Sequence, residues 1–191
     1  MVEKKSTTEK IILGIDPGTN LLGYGVIRVE GKKMELVVMG VIELNKIKDH
    51  YLTLKKIFER VSHLVEEYKP DELAIEAPFF GKNVQSMLKL GRAQGVAMTA
   101  ALMHDIPIFE YAPRKIKMSI TGRGESSKEQ VAAILQNMLK IKELPKDLDA
   151  TDGLAAAVCH FFQSNSALPA ATKGSGWAAF LIQNPDRIKK V

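Results

Sequence analysis

Cysteine is almost absent from this chain, since Cys159 is the single one among 191 residues. One thiol forms no intrachain disulfide and cannot build a cysteine-based zinc cluster. The sequence also lacks any uninterrupted apolar run of the ~18 or more residues that cross a membrane. Its first ten residues are charged and polar, and the apolar core of a signal peptide does not follow them. Together these absences predict a cytoplasmic protein without a membrane segment.

Acidic residues are scarce in the middle of the chain, between Ala77 and Gly124. Two acids, Asp105 and Glu110, occur there against seven basic residues: Lys82, Lys89, Arg92, Arg114, Lys115, Lys117 and Arg123. The net charge of this stretch is +5, which equals the net charge of the whole chain. A solvated lysine surface is one interpretation. A cradle for a polyanion is the other, and an acidic site beside the stretch favours it.

Apolar residues make up 46% of the chain, enough to build a buried core. Apolar runs bounded by turn residues predict strands over 11–16, 22–29, 33–44, 73–76 and 106–111. Helical spacing predicts helices over 51–68, 83–104, 113–121, 127–140 and 149–162. The first three strands follow one another as an antiparallel meander. The pattern therefore predicts an α/β fold, in which a mixed five-stranded sheet carries helices on both faces.

The domain organisation that follows from this pattern is simple. We expect a flexible leader over residues 1–10 and one folded domain over residues 11–163. From about Ser164 the composition shifts towards Ser, Ala, Thr, Gly and Pro, which is typical of a linker. Residues 164–191 are therefore predicted to form a linker and a weakly anchored C-terminal tail.

Acids lie beside apolar runs at three separate places in the sequence. Asp16 and Glu76 each end a predicted strand, and buried acids are costly unless their charge is used. Asp149 and Asp152 lie three residues apart at the start of a predicted helix and so share one face. That pair alone could be a helix cap and a favourable first-turn acid. Three segments that each supply acids indicate a magnesium site.

Such a cluster of carboxylates suits phosphoryl transfer with two metal ions. The segment Gly14–Thr19 leaves an alternative open, because similar segments begin the phosphate-binding hairpin of actin-like kinases and chaperone ATPases. Those proteins close two such domains around a nucleotide, and the length of this chain indicates one. His50, His63 and His104 lie in or beside predicted helices and are interpreted as surface or packing residues. His160, eight positions after Asp152, is given at most a supporting role behind the acids.

Read together, these motifs show that the chain resembles the RuvC family of bacterial Holliday-junction resolvases, in the ribonuclease H-like superfamily. The similarity covers about residues 11–162, with its motifs in order and compatibly spaced. The matching stretches are Ile12–Thr19, Gly23–Ile27, Ala74–Glu76, Lys82–Asn83, Leu88–Ala97, Phe109–Ala112 and Asp149–Ala155.

The resemblance implies a metal-dependent endonuclease that acts as a homodimer and cuts two opposed strands of a four-way DNA junction. Asp16, Glu76, Asp149 and Asp152 fall on the family's catalytic acids and would hold two Mg²⁺ ions, with Mn²⁺ able to substitute. The products would carry 5′-phosphate and 3′-hydroxyl ends, as recombination and repair require. The RuvA–RuvB branch-migration complex is the implied partner. A junction-binding module without catalytic activity remains a third hypothesis beside the nuclease and the kinase.

The resemblance also assigns DNA contacts. Phe79 falls on the aromatic residue that stacks on opened bases, and Phe80 beside it is the other candidate. Lys117 and Lys128 match basic positions associated with DNA. The remaining predicted contacts are Lys82, Asn83, Lys89, Arg92, Arg114, Lys115 and Arg123.

The helix predicted over 83–104 has more apolar surface than one core-facing stripe needs. Gly91 and Gly95 lie on one face of it and would allow a close approach. The helix is either buried within its own domain or part of a subunit interface, and the resemblance favours the interface. A two-fold dimer suits a junction that is nearly two-fold symmetric.

Overall fold

The structure is a computed structural model that describes residues 9–78 and 83–165. Phe79, Phe80 and Lys82 lie outside the described residues, as do most of the predicted leader and tail. Within the described ranges no helix is long and apolar enough to cross a membrane. The elements are β1 (Glu9–Asp16), β2 (Leu21–Glu30), β3 (Lys33–Glu43), α1 (His50–Tyr68), β4 (Glu72–Glu76), α2 (Val84–Leu102), β5 (Ile108–Tyr111), α3 (Pro113–Thr121), α4 (Lys128–Leu139) and α5 (Asp149–Asn165).

The strands form one mixed sheet in the order β3-β2-β1-β4-β5. β2 pairs antiparallel with both β1 and β3, as the predicted meander requires. β4 joins β1 in parallel, with Ile12 beside Glu72 and Ile15 beside Ile75. β5 then joins β4 in parallel. The predicted α/β fold with a mixed five-stranded sheet is confirmed.

The two faces of the sheet build separate halves of the core, because successive residues of a strand point to opposite faces. Leu13 and Ile15 of β1 pack with residues of α1 and α2 on one face. Ile12 of β1 and Ala74 of β4 pack with residues of α3, α4 and α5 on the other. Helices therefore cover both faces, as the sequence predicts.

Both predicted ends of the folded domain fall two residues short of the observed elements. β1 begins at Glu9, so Glu9 and Lys10 belong to the sheet and not to a leader. Pairing of Glu9 with Glu30 of β2 holds this extension in place. α5 continues to Asn165, whose side-chain Nδ2 donates a hydrogen bond to the Phe161 carbonyl oxygen at 3.1 Å. Strand pairing with β2 thus extends the start of β1, and a side-chain hydrogen bond within the last turn extends the end of α5.

α5 lies directly on the backbone of β1 and β2. A methyl group at Gly25 would lie 2.5 Å from Leu154 Cα, and one at Gly14 would lie 2.2 Å from the Gly153 carbonyl oxygen. Real Cβ atoms do not approach other atoms so closely. Glycine at these strand positions is therefore what allows the helix to contact the sheet backbone.

Replacing Gly25 by alanine is expected to lower the free energy of unfolding by about 3 kcal/mol, because the new methyl group collides with helix backbone. Chemical denaturation followed by circular dichroism measures the loss. Gly40→Ala is the matched control in β3, since its methyl group would meet the Tyr24 hydroxyl at 2.7 Å, the movable end of a side chain. An equal loss in both variants would argue against the helix contact as the cause.

Candidate active site

Asp16 and Glu76 are the last residues of two neighbouring parallel strands. β1 ends at Asp16 and β4 ends at Glu76, and the pairing of Ile15 with Ile75 puts the two acids side by side. Because Ile15 and Ile75 point towards α1 and α2, the acids that follow them lie on the face that α5 covers. The structure thus places both acids at the sheet edge that the strand pattern predicts.

α5 begins at Asp149 and brings two more acids to the same edge. A methyl group at Gly23 of β2 would lie 1.8 Å from the Asp149 carbonyl oxygen, so the helix starts in contact with that strand. One carboxylate oxygen from each of Asp16, Asp149 and Asp152 lies within 4.8 Å of the other two. Glu76 interacts electrostatically with Asp16 and Asp152. All four predicted catalytic acids are therefore neighbours in space.

The acids open onto a cleft of about 310 Å³. Asp16, Glu76 and Asp152 line it together with Lys117 and Lys128. The rest of its lining is largely aliphatic, from Pro17, Ala77, Pro78, Leu90 and Pro113. A cleft with carboxylates and ammonium groups can hold a metal cation and a phosphate side by side.

Burial and mutual repulsion raise the pKa values of the acids. Burial raises the pKa of Asp16 to about 8, with further increases from Glu76, Asp152 and Asp149. Burial and then Asp152 raise the pKa of Glu76 to about 7. The pKa of Asp152 is also raised, and burial is the main cause. The protein alone thus leaves these carboxylates short of compensating positive charge.

The donor set fits a hard divalent cation. All four candidate ligands are carboxylates, and magnesium prefers oxygen ligands of this kind. They are held on the ends of two strands and the start of a helix, which are rigid parts of the fold. A divalent cation would also relieve the repulsion that raises the pKa values of Asp16 and Glu76.

Lys128 is paired with the acids. Ser127 caps α4 through a capping box with Gln130, which fixes the position of the lysine that follows. The Lys128 ammonium Nζ lies 2.9 Å from Asp149 Oδ1 and 2.5 Å from Asp152 Oδ2. From its sequence, Lys128 is predicted only as a DNA contact, and the structure adds an ion pair with two candidate metal ligands.

The basic residues of α3 lie beside the cleft in different settings. Lys117 is half-buried and lines the cleft itself. Arg114 is exposed, with its Nη2 3.0 Å from Glu125 Oε1. The Lys115 Nζ lies 5.3 Å from the centre of the Tyr111 ring. Of these three predicted DNA contacts, Lys117 is the one that lines the same cleft as the acids.

The remaining predicted DNA contacts lie outside the lining of the cleft. Lys89 and Arg92 are exposed on α2, and Arg123 is exposed in the loop between α3 and α4. Asn83 caps α2, with its side chain accepting a hydrogen bond from the Ser86 backbone N–H at 3.0 Å. These residues lie at the surface and remain predictions as DNA contacts.

Gln94 is a residue of the site that sequence reasoning missed. It is buried in α2 and lines the cleft. Its Nε2 donates to the Glu76 backbone carbonyl oxygen at 3.2 Å and to Glu110 Oε2 at 3.0 Å. The signal was its place among buried alanines, since Ala93 and Ala97 adjoin it on the inner face of the helix. A polar residue on an apolar face requires a buried partner.

The metal-free protein is expected to lose stability as the pH rises from about 4 to about 8. Unfolded Asp16 releases its proton near its ordinary pKa of 3.8, whereas folded Asp16 holds it up to about 8. Between these values the unfolded state is favoured increasingly, and the loss is complete above the folded pKa. Denaturation midpoints measured across this range in chelator test it. Asp16→Asn is the control and should make the dependence shallower, leaving the part due to Glu76, whose pKa is also raised; an unchanged slope in that variant would refute the assignment to Asp16.

Comparison with known proteins places this site in a family. Residues 12–160 match the family model of RuvC, crossover junction endodeoxyribonuclease. Crossover junction endodeoxyribonuclease RuvC of Bacteroides fragilis is 64% identical over 184 residues, covering 95% of this chain and 97% of that protein. The same enzyme of Christiangramia forsetii is 62% identical over 182 residues, covering 95% of this chain and 94% of that protein.

Solved structures of RuvC proteins are also similar to this chain. RuvC of T. thermophilus in complex with a Holliday junction substrate has a TM-score of 0.76 and 30% identity, covering 82% of this chain and 95% of that one. A second Thermus thermophilus RuvC structure has a TM-score of 0.72 and 32% identity, covering 81% and 95%. The family model spans most of the chain, and it includes all four acids at the ends of β1 and β4 and the start of α5. The chain therefore belongs to the RuvC family of crossover junction endodeoxyribonucleases.

Proposed function

We propose that this chain is an endonuclease that resolves four-way DNA junctions in recombination and repair. It cuts two opposed strands symmetrically and leaves 5′-phosphate and 3′-hydroxyl ends. The observation that carries the proposal is the convergence of acids and lysines on one cleft. Carboxylates suit metal-assisted hydrolysis, and ammonium groups suit a phosphate backbone. Membership of the RuvC family, in which a relative has been solved with a Holliday junction, supports the junction as substrate.

The proposed metal ligands are Asp16, Glu76, Asp149 and Asp152, holding two Mg²⁺ ions for which Mn²⁺ can substitute. When bound, such a pair supplies an activated water and charge stabilisation of the leaving oxygen. The chain's own contribution is to fix the four carboxylates on three elements before substrate arrives. The side chain of Asp149 is 34% exposed against 15% for Asp152, so Asp149 is the less enclosed ligand.

Lys117 and Lys128 are the proposed contacts to the scissile phosphate, because both line the cleft beside the acids. If bound metal ions compensated the charge of Asp149 and Asp152, the Lys128 ammonium, which now pairs with both, would be available to a phosphate oxygen. Exposed Arg114, Arg123 and the basic residues of α2 extend the positive surface to the flanking DNA. Phe79 and Phe80 are proposed to stack on opened bases, an interaction of about 1–3 kcal/mol for each base.

Symmetric cutting requires two active sites, for which we propose a homodimer. The outer face of α2 supports a subunit interface. Val84, Leu88 and Leu102 are 66%, 51% and 56% exposed, and a methyl group at Gly91 or Gly95 would contact nothing within 4 Å. The inner face of the same helix is buried in its own domain through alanines. α2 therefore has one apolar face for the core and another for a second copy of the chain.

The RuvA–RuvB branch-migration complex is the proposed partner and the cytoplasm the proposed location, both from the family resemblance. The proposed nuclease domain spans residues 9–165, between the leader and the C-terminal tail.

Asp16→Asn is expected to abolish cutting of a synthetic four-way junction with Mg²⁺ and to preserve junction binding. The variant loses a metal ligand, whereas the basic surface that binds DNA is unchanged. Cleavage with mapped ends and gel-shift affinity are the two measurements. Asp105→Asn is the matched control, because Asp105 is exposed with a positive φ of 57° that asparagine tolerates.

The alternative functions predict different outcomes in cleavage, junction-binding and ATP-binding assays. Equal cleavage of linear duplex and junction would leave a nuclease but remove junction selectivity. Saturable ATP binding by the chain would favour the actin-like kinase. A non-catalytic junction-binding module predicts that the wild-type protein binds junctions without cutting them.

Lys128→Met is expected to tighten metal binding several-fold in the absence of DNA. The substitution removes a positive charge that is bonded to Asp149 and Asp152 and competes with the metal for them. Titration calorimetry with Mn²⁺ measures the dissociation constant. Lys142→Met, an exposed lysine after α4, is the control and should leave the constant unchanged. Weaker binding in Lys128→Met would show that the lysine supports the metal site instead.

A further inference from the structure

The stripe of α5 nearest the acids has few side chains that would fix the helix along its axis, although Leu154 and Val158 elsewhere on the helix pack in the core with Ile12 of β1. The stripe of α5 that contacts the sheet contains Asp149, Gly153 and Ala157, and beneath it lie Gly14 and Gly23. Helices are usually held in register by side chains that fit between those of the neighbouring element. Glycine and alanine against bare backbone provide close contact but few such projections. Along this stripe, packing therefore constrains the axial position of α5 only weakly.

His160 continues this stripe at the far end of α5 and is the first large polar side chain on it. The residue is 2% exposed, and its ring stacks on that of Phe109 with centroids 4.3 Å apart. Its Nε2 lies 2.7 Å from Glu72 Oε2, and its Nδ1 lies 2.6 Å from the Tyr111 hydroxyl. Glu72 Oε1 in turn accepts a hydrogen bond from Lys10 Nζ at 2.7 Å. The helix is thus bonded at this point to β4 and β5, and through Glu72 to β1.

One protonation state satisfies every atom of this network. A neutral imidazole with its proton on Nε2 donates to Glu72 and accepts from the Tyr111 hydroxyl. Burial raises the pKa of Tyr111 to about 12, which keeps that hydroxyl a donor. Burial acts to raise the pKa of Glu72, but hydrogen bonds from Lys10 and His160 outweigh it and hold the pKa below its ordinary value. Glu72 is therefore a charged acceptor at neutral pH.

The spacing on β4 matches the spacing on α5. Glu72, Ala74 and Glu76 lie on one face of β4, and Glu76 is four residues from Glu72, or about 13 Å along a strand. Asp152 is eight residues from His160, or about 12 Å along a helix. The two elements run in opposite directions, so a bond between His160 and Glu72 at one end sets Asp152 opposite Glu76 at the other. At that second end the two carboxylates repel each other.

We propose that His160 is a positioning residue for the active site, holding α5 in register on β4 so that Asp149 and Asp152 meet Asp16 and Glu76. The inference rests on the proposed metal site. His160 touches none of the four acids and acts through the helix that carries two of them. A metal site tolerates displacements of about 0.2 Å in its ligand distances, so a small slide of the helix weakens it.

His160→Leu and Glu72→Ala test the proposal from the two sides of the same hydrogen bond. Each is expected to weaken Mn²⁺ binding about 10-fold, in the range found when groups that support metal ligands are removed. Junction binding without metal should stay within about twofold, because phosphate contacts on the surface are untouched. The double variant should bind Mn²⁺ no more weakly than either single variant, since both remove one interaction. His160→Gln, which keeps a donor and an acceptor, should restore most of the affinity.

Val61→Ala is the stability control, because Val61 of α1 is fully buried on the opposite face of the sheet. It should lower the unfolding temperature and leave Mn²⁺ affinity unchanged. Equal weakening in Val61→Ala and His160→Leu, or unchanged affinity in folded His160→Leu, would overturn the positioning role. If His160→Leu does not fold, Glu72→Ala decides by the same criterion. Failure of the wild-type protein to bind Mn²⁺ would instead overturn the metal site, and the positioning role with it.

Discussion

The contact between α5 and the bare backbone of β1 and β2 is the constraint on which the site depends. Strand pairing alone brings Asp16 next to Glu76, but those two carboxylates form half of the donor set. The other half arrives on a helix, and glycine at positions 14, 23 and 25 lets that helix lie on the strands. The same small residues leave few side-chain projections beside the acids, and the hydrogen bonds of His160 to Glu72 and Tyr111 add a polar anchor at the far end of the helix. One interface between α5 and the sheet therefore both buries apolar surface and brings the four acids together.

The acids weaken the fold that holds them. Each is partly or largely buried near others of the same sign, and the raised pKa values of Asp16 and Glu76 express that repulsion. The apolar core on both faces of the sheet offsets the cost, and Lys128 neutralises part of the charge. Clusters of partly buried acids with raised pKa values are common in sites that are preorganised to bind a cation and an anionic substrate.

The sequence predicts the fold and the four acids because both leave local signals. Apolar periods define the strands, and Asp16 and Glu76 stand at their ends. Contacts between distant residues leave no such signal: His160 and Glu72 are 88 positions apart, and Lys128 and Asp149 are 21 apart. The glycines show that a sequence pattern does not reveal which positions another element approaches. Gly91 and Gly95 are the ones that the helical pattern singles out, yet within the described chain nothing approaches them, whereas Gly14, Gly23 and Gly25 receive α5.

The order of the acids along the chain has a consequence for how the protein is made. Asp149 lies 133 positions after Asp16, and the helix that carries it is the last element of the described fold. A chain still on the ribosome, synthesised as far as α4, has two carboxylates at the sheet edge and no partners for them. Until α5 emerges and docks, that chain has two of the four proposed ligands. The proposed metal site is thus completed only by the last helix of the described fold, so its assembly is the final step in folding of the domain.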